Sequence, residues 1–213
     1  MAPVFIPIRG NNLRRRLTQL SVGLILFGFG IGLMLESGLG VPPWDVLHQG
    51  LAVQFGTTVG IMSIFVSVAV LLLWLPLRER FGVGTVLNAI IIGIVIDVSV
   101  AILPAGEGLV AWLMVAGGML IIGLATGMYI GANLGPGPRD GLMTAIARRG
   151  PSIRVTRWGI EIIVLLVGWL MGGTFGIGTV AFALGMGPIV HITLPRWTID
   201  TGRVEDSWAH PAR

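Results

Sequence analysis

No cysteine occurs among the 213 residues, so a disulfide framework, a thiol nucleophile and a cysteine-based metal site are excluded. Lysine is also absent: all 14 basic residues are arginine, a bias from which no mechanism follows. Charge of either sign is scarce, at 11% of residues, where a soluble domain carries roughly 25%. The three histidines are scattered and form no cluster. Zinc-protease, nucleophile-elbow and P-loop signatures are all missing, so neither enzyme chemistry, a cofactor nor a metal is expected. The sequence pI of 11.2 would suit nucleic acid, but the arginines sit at the ends of apolar runs. Membrane topology explains that placement more simply, and no nucleic-acid partner is expected. A cleavable leader is not expected either. Arg14, Arg15 and Arg16 precede a long apolar stretch that ends in Glu36-Ser37-Gly38 without a small-x-small cleavage pattern.

What the chain has in excess is apolar sequence: 54% of residues are hydrophobic and the mean hydropathy is +0.89. Lipid is the one credible solvent for most of such a surface. Six segments approach the roughly 20 helical residues that a hydrocarbon core requires. They cover residues 17–35, 59–77, 83–103, 109–130, 155–171 and 177–194. Two shorter segments, 44–55 and 139–148, reach only roughly 17 Å as helices and are too short to span. They are expected to lie at the interface or to dip into the bilayer and stop.

The chain also repeats itself. Leu39-Gly40-Val41-Pro42-Pro43-Trp44-Asp45-Val46-Leu47 recurs 95 residues later as Leu134-Gly135-Pro136-Gly137-Pro138-Arg139-Asp140-Gly141-Leu142. Phe81-Gly82-Val83-Gly84-Thr85-Val86 recurs 94 residues later as Phe175-Gly176-Ile177-Gly178-Thr179-Val180. Two echoes at nearly one spacing mark a duplicated unit. Six spans with the N-terminus inside put all 14 arginines on the inner face. Asp45, His48 and Glu107 then fall in outer loops. Eight spans would instead strand Arg78, Arg80 and Arg139 outside. The expected fold is therefore all-α and polytopic: six transmembrane helices as two inverted three-helix repeats, each with one short interfacial or re-entrant helix. The expected segments are an N-terminal cytoplasmic arm (1–16), the repeats (17–104 and 105–195) and a cytoplasmic tail (196–213). The first Pro-x-Asp motif should face outward and the second inward.

Paired breaks at matching positions in two halves of a membrane protein point to a transport site. Two readings of them stay open. Pro43 and Pro138 suit the first turn of a helix, and Asp45 and Asp140 can cap it and complement its dipole. Alternatively, these helix starts line a substrate or ion path, with Gly40 and Gly135 allowing tight turns. Trp44 reads as an aromatic-belt anchor, and Arg139, its counterpart, as an inner-face cation; Arg139 can also meet an anionic substrate. Polar residues inside spans are further candidates, because a central charge costs on the order of 2.5–3.5 kcal/mol on insertion scales. They are Asp97, His191 at the equivalent position of the other repeat, and Glu161, spaced to pair with Arg157. Asp97 and His191 should lie on opposite sides of the midplane, too far apart to pair, and each can simply be solvated near its interface. Gly28, Gly30 and Gly32, echoed in part by Gly123 and Gly127, suggest close helix packing.

The runs GLGVPPWDVLHQGLA, NLGPGPRDGLMTAIARR and IEIIVLLVGWLMGGTFGIGTVAFALGMGP resemble the YczE branch of the YczE/YyaS/YitT membrane proteins of bacteria. The likeness covers roughly residues 17–195. It implies a small polytopic membrane protein, often described as a transporter, with no assigned substrate or catalytic residues. The leading expectation is a small-molecule transporter or permease of the bacterial inner membrane, both termini cytoplasmic, whose partners are the bilayer and a small molecule or ion. The alternative is a non-transport accessory or substrate-capture subunit working with a partner complex. A homodimer is compatible with this span set, but no residue demands one.

Overall fold

A computed structural model describes residues 12–200. Arg9, Arg203 and Arg213, with much of both expected terminal segments, lie outside the described residues. Among the described residues the chain is all-helical, with eight helices. They are α1 (Leu13–Glu36), α2 (Pro43–Phe55), α3 (Val59–Leu77), α4 (Val83–Ile102), α5 (Gly108–Gly131), α6 (Pro138–Ala147), α7 (Ile153–Leu170) and α8 (Ile177–Trp197). The apolar runs become helices because lipid offers backbone amides and carbonyls no partner outside the segment itself. Polar caps and glycines set the ends. The Thr58 hydroxyl accepts from the Ile61 amide to start α3, the Ser152 hydroxyl does the same for Val155 and α7, and Gly56 ends α2 in the left-handed region.

Five helices, α1, α3, α4, α5 and α8, are long and apolar enough to cross a membrane. α7, expected as a sixth span, has 18 residues but carries Arg154, Arg157 and Glu161 in its first half, so composition alone does not mark it as one. Large apolar side chains remain exposed around the bundle, including Leu72, Ile94, Trp158, Leu170 and Leu184. Such a surface fits lipid contact.

α1 and α5 form the central pair, with α4 packed on α1 and α8 on α5. Without a hydrophobic drive between helices in lipid, small residues decide where they approach. A Cβ on Gly28 would strike Val95, and one on Gly32 would strike Ser99. One repeat length later, Gly123 meets Ile189 and Gly127 meets Thr193. The glycines singled out by sequence therefore do make close helix contacts, and they make the same ones twice.

The outer helices are exchanged between the halves. α2 packs on α7, and α6 packs on α3. The loop breaks follow the same rule. The amide of Gly178, at the start of α8, donates to the Leu39 carbonyl at 2.8 Å, and the amide of Gly84, at the start of α4, donates to the Leu134 carbonyl at 2.8 Å. Gly40 (φ 112°) and Gly135 (φ 118°) share a conformation that side chains rarely adopt. A Cβ there would stand 2.7 Å from the hydroxyls of Thr179 and Thr85 respectively. The two sequence echoes are thus halves of one contact: each Leu-Gly break lies on the Phe-Gly-x-Gly-Thr start of the other half. Thr85 completes its side by donating to the Pro136 carbonyl at 2.7 Å.

Candidate functional site at the two helix starts

The exchanged packing brings the starts of α2 and α6 to one cavity of about 140 Å³. Its apolar wall includes Phe27, Ile92, Ile122, Phe182 and Met186. Its polar lining includes Asp45, Asn88, Tyr129, Arg139, Asp140, Arg157 and Glu161. The Pro-x-Asp motifs converge on this shared space and do not turn to separate surfaces. The cause is the crosswise seating of each break on the opposite half.

Pro43 and Pro138 open their helices, as their fixed φ and missing N–H predict. Neither helix start is capped by a side-chain hydrogen bond, however. The two aspartates act elsewhere. Asp45 is fully buried, its Oδ1 2.9 Å from Nδ1 of the equally buried His48, one helical turn on. The same oxygen lies 3.6 Å from Nη2 of Arg139, whose side chain is 20% exposed. This ion pair joins the two copies of the motif directly. Asp140 accepts from the hydroxyl of Tyr129 on α5.

Trp44 is 6% exposed, and the Arg139 guanidinium carbon stands 5.6 Å from its ring centroid. That is cation–π range. The aromatic-belt and inner-face-cation readings of this pair are therefore replaced: the two repeat-equivalent side chains meet each other inside the bundle. Likewise Asp45 and His48 lie within a buried helix, not in an outer loop. Gly40 and Gly135 shape the breaks behind the cavity and are absent from its lining.

The remaining candidates separate. Glu161 lines the cavity and accepts from Arg157 Nε at 2.8 Å, the pairing expected from their spacing. Asp97 instead serves the start of α3: its Oδ1 accepts from the Gly60 amide at 2.8 Å and its Oδ2 from the Thr58 hydroxyl at 2.6 Å. It compensates one orphan amide and holds the hydroxyl that caps α3, a structural duty. His191 is exposed on α8, away from the cavity lining.

Sequence reasoning missed two members of the cluster. His48 had a usable signal, its i,i+3 spacing from Asp45, which puts both on one helix face. Tyr129 is the chain's single tyrosine, but only the tertiary packing places it on Asp140. Three buried polar atoms here have no hydrogen-bond partner in the protein: Asp45 Oδ2, His48 Nε2 and Trp44 Nε1. Buried polar atoms are rarely left so, and such cases call for an explanation. Among the described residues no group of three or more histidines and carboxylates is arranged to hold a metal ion.

Comparison with known proteins identifies the family of the chain. A family model described as "Family of unknown function (DUF6198)" matches residues 14–195. An uncharacterised protein of Haemophilus influenzae is 41% identical over 182 residues, 84% of each chain. The uncharacterised membrane protein YczE of Bacillus subtilis is 37% identical over 185 residues, 85% of this chain and 86% of its own. The uncharacterised protein YyaS of the same organism is 29% identical over 180 residues, 82% and 90% of the two chains. No solved structure matches. The chain belongs to this DUF6198 family and is a YczE-like, multi-pass, all-helical membrane protein.

Proposed function

We propose that the protein is a small-molecule transporter or permease of the bacterial inner membrane, built from two inverted three-span repeats at 17–104 and 105–195. The observation that carries this reading is the meeting of α2 and α6: two interrupted helix starts, one from each half, line one shared cavity in which carboxylates and guanidiniums cluster inside a largely apolar bundle. Charged side chains in such a setting ordinarily belong to a path for ions or substrates. Helix starts converging from two related halves are a recurring way to build the binding site of secondary transporters. In this reading α7 is the second span of its repeat, between α5 and α8, α2 and α6 are re-entrant, and both termini are cytoplasmic, as the arginine distribution favours.

The Asp45–Arg139 pair then acts as a latch between halves. It closes one route to the cavity while formed, and the halves rock against each other when it opens. Proteoliposome flux measurements test this, with wild type beside Asp45→Asn and Asp140→Asn. Both substitutions should reduce flux at least tenfold. Normal flux in both would remove the carboxylates from the mechanism. Faithful insertion without flux across a broad substrate panel, together with co-purification of an ATPase pair, would favour the substrate-capture alternative.

A further inference from the structure

We infer that the cavity is a seat for a small organic cation, an amine or guanidine with a short apolar portion, and that Arg139 is a tethered stand-in that such a cation displaces. The inference rests on reading this cavity as the substrate site. It goes further in naming the chemical class.

Charge comes first. The lining holds three carboxylates, Asp45, Asp140 and Glu161, against two guanidiniums, Arg139 and Arg157. Arg157 is bound to Glu161 at 2.8 Å. The lining therefore carries one carboxylate more than it has guanidiniums; Asp140, which accepts from the Tyr129 hydroxyl and shares the field of Arg157, is the one without an ion pair of its own. Two helix starts would normally invite an anion, because their free amides and positive dipole ends point outward. Here each start already carries its own aspartate in the first turn, which offsets that preference.

Geometry comes second. The Trp44 ring and the Asp45 carboxylate form an aromatic-plus-anion cradle, the usual chemistry for holding an organic cation. Arg139 occupies it without being locked in. Its Nη2 is 3.6 Å from Asp45 Oδ1, an ion-pair distance too long for a hydrogen bond. Oδ2 of the fully buried Asp45 meanwhile has no partner in the protein. A carboxylate so placed has acceptor capacity that the resident arginine does not use. The volume of about 140 Å³ is near that of a cavity known to admit benzene, so the occupant has on the order of six to ten non-hydrogen atoms.

Chemical rescue in nanodiscs tests the seat, with guanidinium as the probe. Arg139→Ala and Arg139→Gln should melt below wild type, and millimolar guanidinium chloride should raise their melting temperatures while sodium chloride at equal ionic strength does not. Wild type should respond at least about tenfold more weakly, because a tethered side chain competes at a millimolar or higher effective concentration. Adding Asp45→Asn to either variant should erase the response. Equal responses in all these proteins, or none in the single variants, would overturn the seat.

If neither single variant folds without guanidinium, recovery of folded protein in its presence is the same rescue, and failure to recover counts against the seat. In that event wild-type calorimetry with benzylammonium gives a second decision. Saturable binding that guanidinium competes away supports the proposal; no binding, or binding blind to guanidinium, rejects it. Rescue without flux in proteoliposomes would retire transport and keep the cation seat. Flux of neutral or anionic solutes without rescue would do the reverse.

Discussion

The starts of α2 and α6 carry the same Pro-x-Asp motif but live in different surroundings. The first turn of α2 is buried throughout, and its aspartate is sealed against His48 and Arg139. The corresponding Arg139 and Asp140 of α6 are only partly buried. Support from behind differs too. α2 lies backbone to backbone on α7, where a Cβ on Gly168 would strike the main chain of Leu47 and Val46. α6 rests on a side chain: Gly141 abuts the ring of Trp74, whose Nε1 donates to the Pro138 carbonyl at 3.2 Å. Trp74 in turn stacks on Phe81, centroids 5.5 Å apart and nearly parallel. Two helix starts alike in sequence are thus held differently: one is a fixed anchor on backbone, the other rests on a side chain.

The sharpest way to break this contrast is Asp45→Ala. It leaves Arg139 and His48 without their shared partner, and the expected loss is about 3–5 kcal/mol in reversible unfolding in detergent. Asp140→Ala should cost less than half of that. Equal losses would show that the two starts are equally anchored. Next in size is Gly168→Val, about 3 kcal/mol by the same measurement, because an overpacked backbone contact has no side chain to move aside. Gly141→Ala, against Trp74, should cost less. Tyr129→Phe removes a bond to a carboxylate and should cost about 1.5–3 kcal/mol. Its effect should vanish in an Asp140→Ala background if the two act as a pair. Smallest is Glu161→Gln. Arg157 is half exposed, so solvent screens the pair and the loss should stay below about 1 kcal/mol. Any larger value would mean that Glu161 contributes to the cavity as more than a partner for Arg157.

Much of the fold was legible because lipid makes helices obligatory. The α3 boundaries, Val59–Leu77, coincide with the apolar segment read from the sequence, and the other helices differ from theirs by a few residues at most. The Gly28, Gly32, Gly123 and Gly127 contacts were legible for the same reason: close approach in lipid requires small residues. The exchange of α2 and α6 between halves was not. Nothing in the linear pattern says that Leu39 will accept from Gly178, 139 positions on, because both groups are ordinary backbone. Without that exchange, Trp44 and Arg139 look like surface anchors on opposite faces. With it, they touch. Asp97 erred in the other direction. A carboxylate within an apolar helix made it a candidate for a substrate or ion path, but two donors at the start of α3, one amide and one hydroxyl, hold it.

The reciprocal bonds from Gly84 to Leu134 and from Gly178 to Leu39 make each half depend on the other. Each half holds a donor whose acceptor lies in the other half. A lone half-length chain would bury an orphaned amide and an orphaned carbonyl unless a second copy supplied both. The protein therefore has the form of a self-complementary dimer whose two members are joined by one stretch of chain, between α4 and α5. Joined in one chain, the members need not be identical, and the Trp44–Arg139 contact is a place where they differ and meet.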